Sequence, residues 1–450
     1  MAGGKQADNA WRVLILLFLA NLFNFFDRAI PAIIIEPIRH EWNLSDFQIG
    51  IAAVAFTVVY AVAGLPLGRL ADTASRKAVM GSGFVVWSVF TGLTGLAWNF
   101  LSFLAVRVGV GVGEASYAPA ANALIGDLFP SEKRSRAVGI FMLGLPLGLI
   151  MAFFTTGAIV NAFGSWRAPF FIAMVPGLVL AIFVFFIREP ARGAAEEIRA
   201  SEAPLDQPIR RILRIPTMWW IILSGIAANF AAYAANTFMV PMLQRYYGLS
   251  LQQAAVTTGI IVGITGLVGL TGGGWLADKI HQRSERGRML FGAFGMLVSA
   301  VATWFALMRD HTEVGLFTAL FSVGWLAQYC YHTCTYPAVQ DIVEPRLRAT
   351  AVAVYLIALY LLGGAFGPLV VGWLSDRYSG MAMVAAGATE MTEQFKAIGL
   401  HDAMYAIPVS LLLTAAAMFV AARTFVSDAR TMKDGMNASA TVIAGAPRVA

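Results

Sequence analysis

The sequence predicts an all-α integral membrane protein of twelve transmembrane helices in two six-helix halves. Three observations carry this. Of 450 residues, 58% are hydrophobic and 13% are charged, about half the charged share of a soluble domain; the mean hydropathy is +0.69. The apolar residues fall into twelve runs, each near the roughly 20 residues that a bilayer core requires of a helix. The runs divide evenly about one long polar stretch. A soluble chain this apolar has too little polar surface to cover itself, and the same composition excludes intrinsic disorder. Period-2 alternation with regular turns is absent, which argues against a β-barrel.

In chain order the runs cover residues 12–36, 46–69, 78–98, 100–128, 137–161, 167–187, 217–243, 251–276, 288–308, 313–341, 349–375 and 401–424. Span 1 is too long for a secretory signal, contains Asp27 and Arg28, and has no small-residue cleavage site after it. Asn21, Asn24 and Asp27 form a polar stripe on it, and Pro31 beyond them marks a kink. Span 4 holds Arg107 and Glu114, with Gly109, Gly111 and Gly113 as a small-residue ladder; span 5 carries Gly144, Pro146 and Gly148. Small residues let helices approach and slide. Span 7 offers Asn229, Tyr233, Asn236 and Thr237 but no charge. Span 10 offers Gln328, Tyr329, Tyr331, His332 and Tyr336. Its Cys330 and Cys334 share one helical face, so a disulfide framework is not credible. His332 points to the opposite side, which speaks against a metal site.

Residues 188–216 contain six arginines with Pro, Ala and Glu, and read as a cytoplasmic linker. The halves are then 1–187 and 217–424, and 425–450 reads as a disordered cytoplasmic tail. With both termini cytoplasmic, six of the 32 Lys and Arg lie in outer loops: Arg39, Arg167, Arg245, Arg309, Arg377 and Lys396. Arg28 and Arg107 lie within the membrane, and the other 24 are cytoplasmic. This bias sets an even number of spans with both ends inside, as for a multi-pass protein of a bacterial inner membrane. Trp42, Trp98, Trp166, Trp219, Trp220, Tyr246 and Tyr247 sit near span ends as an aromatic belt would. The net charge of +6 is therefore an orientation signal and not a nucleic-acid face.

The halves repeat. GRLADTASRK (Gly68 to Lys77) ends span 2 and GWLADKIHQR (Gly274 to Arg283) ends span 8, 206 residues later. DLFPSEKRSRA (Asp127 to Ala137) follows span 4, and DIVEPRLRA (Asp341 to Ala349) follows span 10. Such duplicated six-helix halves form a known transporter plan.

The run Gly68-x3-Asp72-x3-Arg76-Lys77 resembles the loop 2–3 signature of the major facilitator superfamily, with Thr73 and Ser75 departing from its usual basic residue and glycine. NFFDR (Asn24 to Arg28), RVGVGVGEASYAPA (Arg107 to Ala120), IGDLF, RSR (Arg134 to Arg136) and REPARGA (Arg188 to Ala194) are similar to the spinster-type branch. That branch includes exporters of lysophospholipids and sphingosine phosphate. Sialin-type organic-anion symporters share the Asp-Arg of span 1 and the Arg-x6-Glu of span 4. The resemblance implies alternating-access transport and leaves the cargo open.

Ionisable groups at membrane depth are the sharpest signal, since each costs roughly 2.5–3.5 kcal/mol on insertion. Asp27 lies about 22 Å from the inner end of span 1, and Arg107 about 10 Å in from the outer side. A pair between them is geometrically allowed, and the family arrangement favours it. Glu114, two turns past Arg107, is about 10 Å deeper on the same face. Protonating one carboxylate would release Arg107 to pair elsewhere or to hold an anionic substrate, coupling protons to transport. The plain alternative is a static ion pair bracing spans 1 and 4. Arg28 points to another face, where it either neutralises the cluster or braces the helix.

By the internal offset Glu114 corresponds to Gln328, so the charges belong to the first half. The second half then shapes the substrate site, with Asn24, Tyr233, Asn236, Gln328 and His332 as lining candidates; core packing is the alternative for the span 10 aromatics. The resemblance places span 11 opposite Asp72, which would cap that helix. Arg76 would pair with Asp127 beside Arg136. Gly68, Asp72, Arg76, Lys77, Asp127 and Arg136 would latch the cytoplasmic side of the outward-open state. Topogenic charge alone is the alternative reading.

No Walker A motif follows a strand, so ATP hydrolysis is not indicated. Glu114 with His332 lacks a nucleophile or metal spacing, so an enzyme is not expected. No cofactor is called for. The expected partners are protons, membrane lipid and an amphipathic anion or lipid, with small organic anions or sugar acids as the alternative. A monomer is the default.

Overall fold

The computed structural model describes residues 2–191, 207–344 and 347–445, and among them it is helical with no strand. The first half comprises α1 (Ala2–Ile33), α2 (Ile35–Trp42), α3 (Asp46–Thr73), α4 (Arg76–Thr94), α5 (Phe100–Ala115), α6 (Tyr117–Leu128), α7 (Ser131–Met142), α8 (Gly144–Phe163) and α9 (Ala168–Phe185). The linker adds α10 (Pro208–Leu213). The second half comprises α11 (Pro216–Arg245), α12 (Leu251–Thr258), α13 (Thr265–Arg283), α14 (Gly287–Leu307), α15 (Val314–Asp341), α16 (Arg348–Ala358), α17 (Phe366–Ala385), α18 (Glu393–Ala403) and α19 (Ala406–Gly445). Two π turns, Gly259–Ile264 and Leu359–Gly364, join α12 to α13 and α16 to α17. Ten helical stretches of the described residues are long and apolar enough to cross a membrane. With α4 and the α5–α6 pair they are consistent with twelve spans.

Polar punctuation starts these helices. Capping boxes at Ser45 with Gln48, Asn99 with Ser102 and Ser250 with Gln253 open α3, α5 and α12. Each satisfies two amide donors that would otherwise be orphaned. Gly164, at φ +62°, ends α8 in the left-handed region that favours glycine.

Three readings change. Span 1 begins earlier than residue 12, because helix already runs from Ala2. Span 12 begins at Ala406, and residues 393–403 form a separate helix that packs on α17. Of the expected disordered tail after 424, residues 446–450 lie outside the described residues, and 425–445 instead continue α19. Phe425 and Val426 are buried there, and the Asp428 carboxylate accepts from the backbone and hydroxyl of Thr217 at 3.0 and 2.6 Å. That carboxylate satisfies a free amide at the start of α11, which anchors the extension.

With twelve spans, the described ends at Ala2 and Gly445 and the short helix α10 lie on one face, called here the terminal face; the other is the far face. The halves meet toward the far face, where α3 runs along α17 and the second π turn, and α8 along α12 and the first. Their backbones touch at this seam. A Cβ on Gly372 would lie 2.3 Å from the Asp46 carbonyl oxygen. Toward the terminal face the halves part: among the described residues α6 and α7 of the first half and α16 of the second take no substantial part in the packing between halves. A cleft between the halves therefore opens on the terminal face. Outward-facing Phe186, Trp98 and Val384 are largely exposed, as on a surface solvated by lipid.

Candidate functional site

A buried charge cluster sits in the first half. α1 contributes Asn24, Asp27 and Arg28, and α5 contributes Arg107 and Glu114; Asp27, Arg107 and Glu114 are each under 5% exposed. α5 reaches α4 closely because a Cβ on Gly113 would sit 2.5 Å from the Trp87 backbone nitrogen. That approach sets Arg107 and Glu114 inside the half. The hydroxyl of Thr91 on α4 donates to the Asp27 carboxylate.

The pairing differs from the sequence reading. Arg28 does not point away from the cluster: its Nε donates to Glu114 and forms the ion pair. Residues 27 and 28 are adjacent on α1 but take different partners, Asp27 on α4 and Arg28 on α5 and among the α3 rings. Asp27 and Arg107 form no direct ion pair among the described residues, although each lies in the other's field. Four buried atoms stay without a hydrogen-bond partner there: Asn24 Nδ2, Asp27 Oδ1, Arg107 Nη1 and Glu114 Oε1. Such orphans are rare in a settled core.

Aromatic rings from α3 complete the cluster. The Arg28 guanidinium stands 4.2 Å from the Tyr60 ring centre and 5.3 Å from that of Phe56. Arg107 stands 5.0 Å from Phe56, so one ring serves both cations. Across the cleft, Tyr233 of α11 and Tyr360 of the second π turn meet edge to face at 6.2 Å and lie within the field of Arg28. Half-buried Asn236 leaves its Oδ1 unpartnered, and Gln328 donates to the Ala228 carbonyl at 3.3 Å. His332 lies against Tyr331 and Tyr329 in α15. Both cysteines are free, and no metal-ligating cluster occurs among the described residues. Phe56, Tyr60, Thr91 and Tyr360 were not singled out from the sequence; aromatic and Thr residues in apolar runs carry no mark of what they face.

On the terminal face Arg76 is buried and forms ion pairs with Asp127 and with Glu189, the latter at 2.8 Å. Its Nη2 also donates to the Pro190 carbonyl at 2.7 Å. Burial raises the Glu189 carboxyl, but donors from Arg76 and Ser75 outweigh it and bring the group down to about 2. The second half repeats the arrangement, with Arg288 on Asp341 at 3.0 Å and Asp278 at 3.1 Å. Arg136 sits over Trp11 at 5.7 Å and not in the Arg76 cluster. Lys77 is half-buried with no ion pair among the described residues, and Gly68 packs on Pro119 of its own half. The Asp72 side chain lies outside the described residues. Of the latch expected for the outward-open state, the Arg76–Asp127 pair is present.

The far face holds a second network that the sequence did not reveal. Arg245, ending α11, reaches Glu36 on α2 at 2.5 Å and Asp46 on α3 at 2.7 Å, and all three are buried. Ser375 donates to Asp46 at 2.6 Å. The Asp376 carboxylate accepts the backbone N–H groups of Asp46 and Phe47 at 3.0 and 2.9 Å, so α17 caps α3. Arg39 reaches Glu393 of α18 at 2.5 Å and Glu36 at 3.1 Å. Every bridge but the last crosses between the halves.

Two helical halves that are sealed on one face, parted on the other and charged at the centre define a multi-pass membrane transporter. Residues 17–368 match the Major Facilitator Superfamily, and the chain belongs to that family. It is 31% identical over 373 residues to an MFS-type efflux pump of Mycolicibacterium smegmatis, covering 82% of this chain and 85% of that protein. It is 29% identical over 388 residues to the hexuronate transporter of Bacillus subtilis, covering 83% and 91%. A solved bacterial homolog to the human lysosomal transporter Spinster, in an inward-facing and unoccupied conformation, superposes with a TM-score of 0.84 at 28% identity, covering 93% of this chain and 98% of that one. The spinster-type resemblance thus extends from short motifs to the whole fold.

Proposed function

We propose that the chain is a proton-coupled, alternating-access transporter of an amphipathic, lysolipid- or sphingolipid-like anion, with the terminal face cytoplasmic. The two halves would rock as units about the central site, and the structure then corresponds to the inward-open state. The observation that carries the reading is the buried cluster of Asp27, Arg28, Arg107 and Glu114 with its four unpartnered atoms. With both carboxylates ionised its formal charge is zero. Adding one proton leaves a net cation in a desolvated place, which is costly until an anion balances it. The free Nη1 of Arg107 offers a donor for that anion. The surrounding Phe56, Tyr60, Tyr233 and Tyr360 rings suit an apolar body beside the charge. The hexuronate transporter among the relatives favours a second reading, a proton-coupled symporter of small organic anions or sugar acids.

Proteoliposomes under an imposed proton gradient test this with a lysophospholipid panel and a sugar-acid panel. Proton-driven uptake of the lysophospholipids is expected. Asp27→Asn, Arg107→Ala and Glu114→Gln should each lower uphill transport at least 100-fold at near-normal expression, as losing a buried charge partner costs about 3–5 kcal/mol. Full uphill transport by all three variants would overturn the coupling. Uptake of sugar acids alone would select the second reading.

A further inference from the structure

A groove of about 1310 Å³ lies between the terminal-face ends of α1 and α9, on the outside of the first half. Leu16, Leu19 and Phe23 of α1 and Val179 and Phe183 of α9 make its walls apolar. Its mouth holds Asn9, Arg12 and Arg188. Both arginines are exposed and have no ion-pair partner among the described residues. The neighbouring carboxylate, Glu189, is already held by Arg76 and Ser75. From Arg12 to Phe23 the helix rises about 16 Å, close to one leaflet of a hydrocarbon core of roughly 30 Å. A cationic mouth above an apolar slot one leaflet deep matches one kind of molecule.

We propose that this groove seats an anionic diacyl phospholipid, with its phosphate on Arg12 and Arg188 and an acyl chain between α1 and α9. A basic group near the membrane surface contributes about 1 kcal/mol toward an anionic lipid, and two of them select charge over a neutral headgroup. The site lies apart from the central cluster and does not depend on the substrate proposed above. Because α1 also carries Asp27 and Arg28, the lipid would brace the helix that presents the cluster.

The test uses the full chain, purified and monodisperse, with phosphatidylglycerol or phosphatidylcholine added in detergent, and reads retained lipid by native mass spectrometry. Phosphatidylglycerol is expected to be retained preferentially. Arg12→Gln or Arg188→Gln should each weaken retention about 5-fold, and the double variant about 30-fold. Val179→Trp, which leaves both charges and fills the slot, should also release the lipid. Equal retention of both lipids, or undiminished phosphatidylglycerol on the double variant, would overturn the proposal. Competition by inorganic phosphate alone would make the mouth an anion site without a lipid. Retention that appears only after residues 192–206 are replaced by a Gly/Ser chain would make the linker the occupant.

Discussion

The two faces of this transporter hold their charges in opposite ways. On the far face Arg245, Glu36, Asp46, Arg39 and Glu393 tie one half to the other. On the terminal face Arg76 with Asp127 and Glu189, and Arg288 with Asp278 and Asp341, stay within their own halves. Charges within a half move as a body, whereas charges across the seam have to separate before the far face can open. On the rocking mechanism proposed above, the first kind would set the rigidity of each half and the second which state is populated.

The largest effect is expected at the centre of the far network. Arg245→Ala removes the cation that Glu36 and Asp46 share and leaves Glu36 to Arg39 and Asp46 to Ser375, a loss of up to about 3–5 kcal/mol. The far face should then open. Cysteines replacing Asn161 and Gln252, whose side chains meet across the seam at 3.2 Å, should cross-link at least 10-fold more slowly in that variant. An unchanged rate would show that backbone packing alone holds the seam.

A smaller effect is expected from Asp376→Asn, which removes charge from the amino terminus of α3 but keeps an acceptor. A carboxylate there contributes about 0.3–1 kcal/mol, so cross-linking should slow only about 2- to 5-fold. A loss as large as that of Arg245→Ala would place the gate in the α17 cap and not in the Arg245 bridges.

The smallest effect concerns pH and the charges that stay within a half. Glu189 is brought from the ordinary carboxylate range near about 4.3 down to about 2. Glu41 is also lowered: hydrogen bonds from Arg167 and Trp166 outweigh its slight burial. A depressed pKa gives stability above the unfolded value that is lost as pH falls through the folded one. The difference in Tm between the native chain and Glu189→Gln should be constant from pH 5 to 8 and shrink only below about pH 4. A difference that changed between pH 5 and 8 would make this cluster a rival for the coupling titration.

The helices were legible because hydropathy writes lipid-facing spans directly into composition. Membrane depth also made Asp27, Arg107 and Glu114 visible, since charge in an apolar run has few innocent explanations. The partner of Glu114 was not legible. Arg28 and Asp27 are neighbours in sequence, and only the packing of α3, α4 and α5 around the cluster decides which partner each meets. The far network was hidden for another reason. Arg39 and Arg245 read as topogenic loop charges, while α2 and α18 look like connectors until they fold against the seam. Spans 8 and 11 gave no sign of π turns, because in runs so largely apolar a one-residue step in helical phase leaves no visible break in the pattern.

Those π turns bear on how the protein tolerates change. In each, the hydrogen-bond ladder accommodates one residue more than an α-helical turn, so the stretch before and the stretch after keep separate angular phases. Removing one residue from Leu359–Gly364 would close the widened turn into an unbroken spiral with both stretches facing as before, whereas the same loss from a regular α turn would swing one stretch by about 100° relative to the other. Asp376 would keep its hold on α3, and the change would fall on Tyr360, which sits in the widened turn opposite Tyr233. A shortening that would unseat the far-face cap in a regular helix would here be felt at the central aromatic pair.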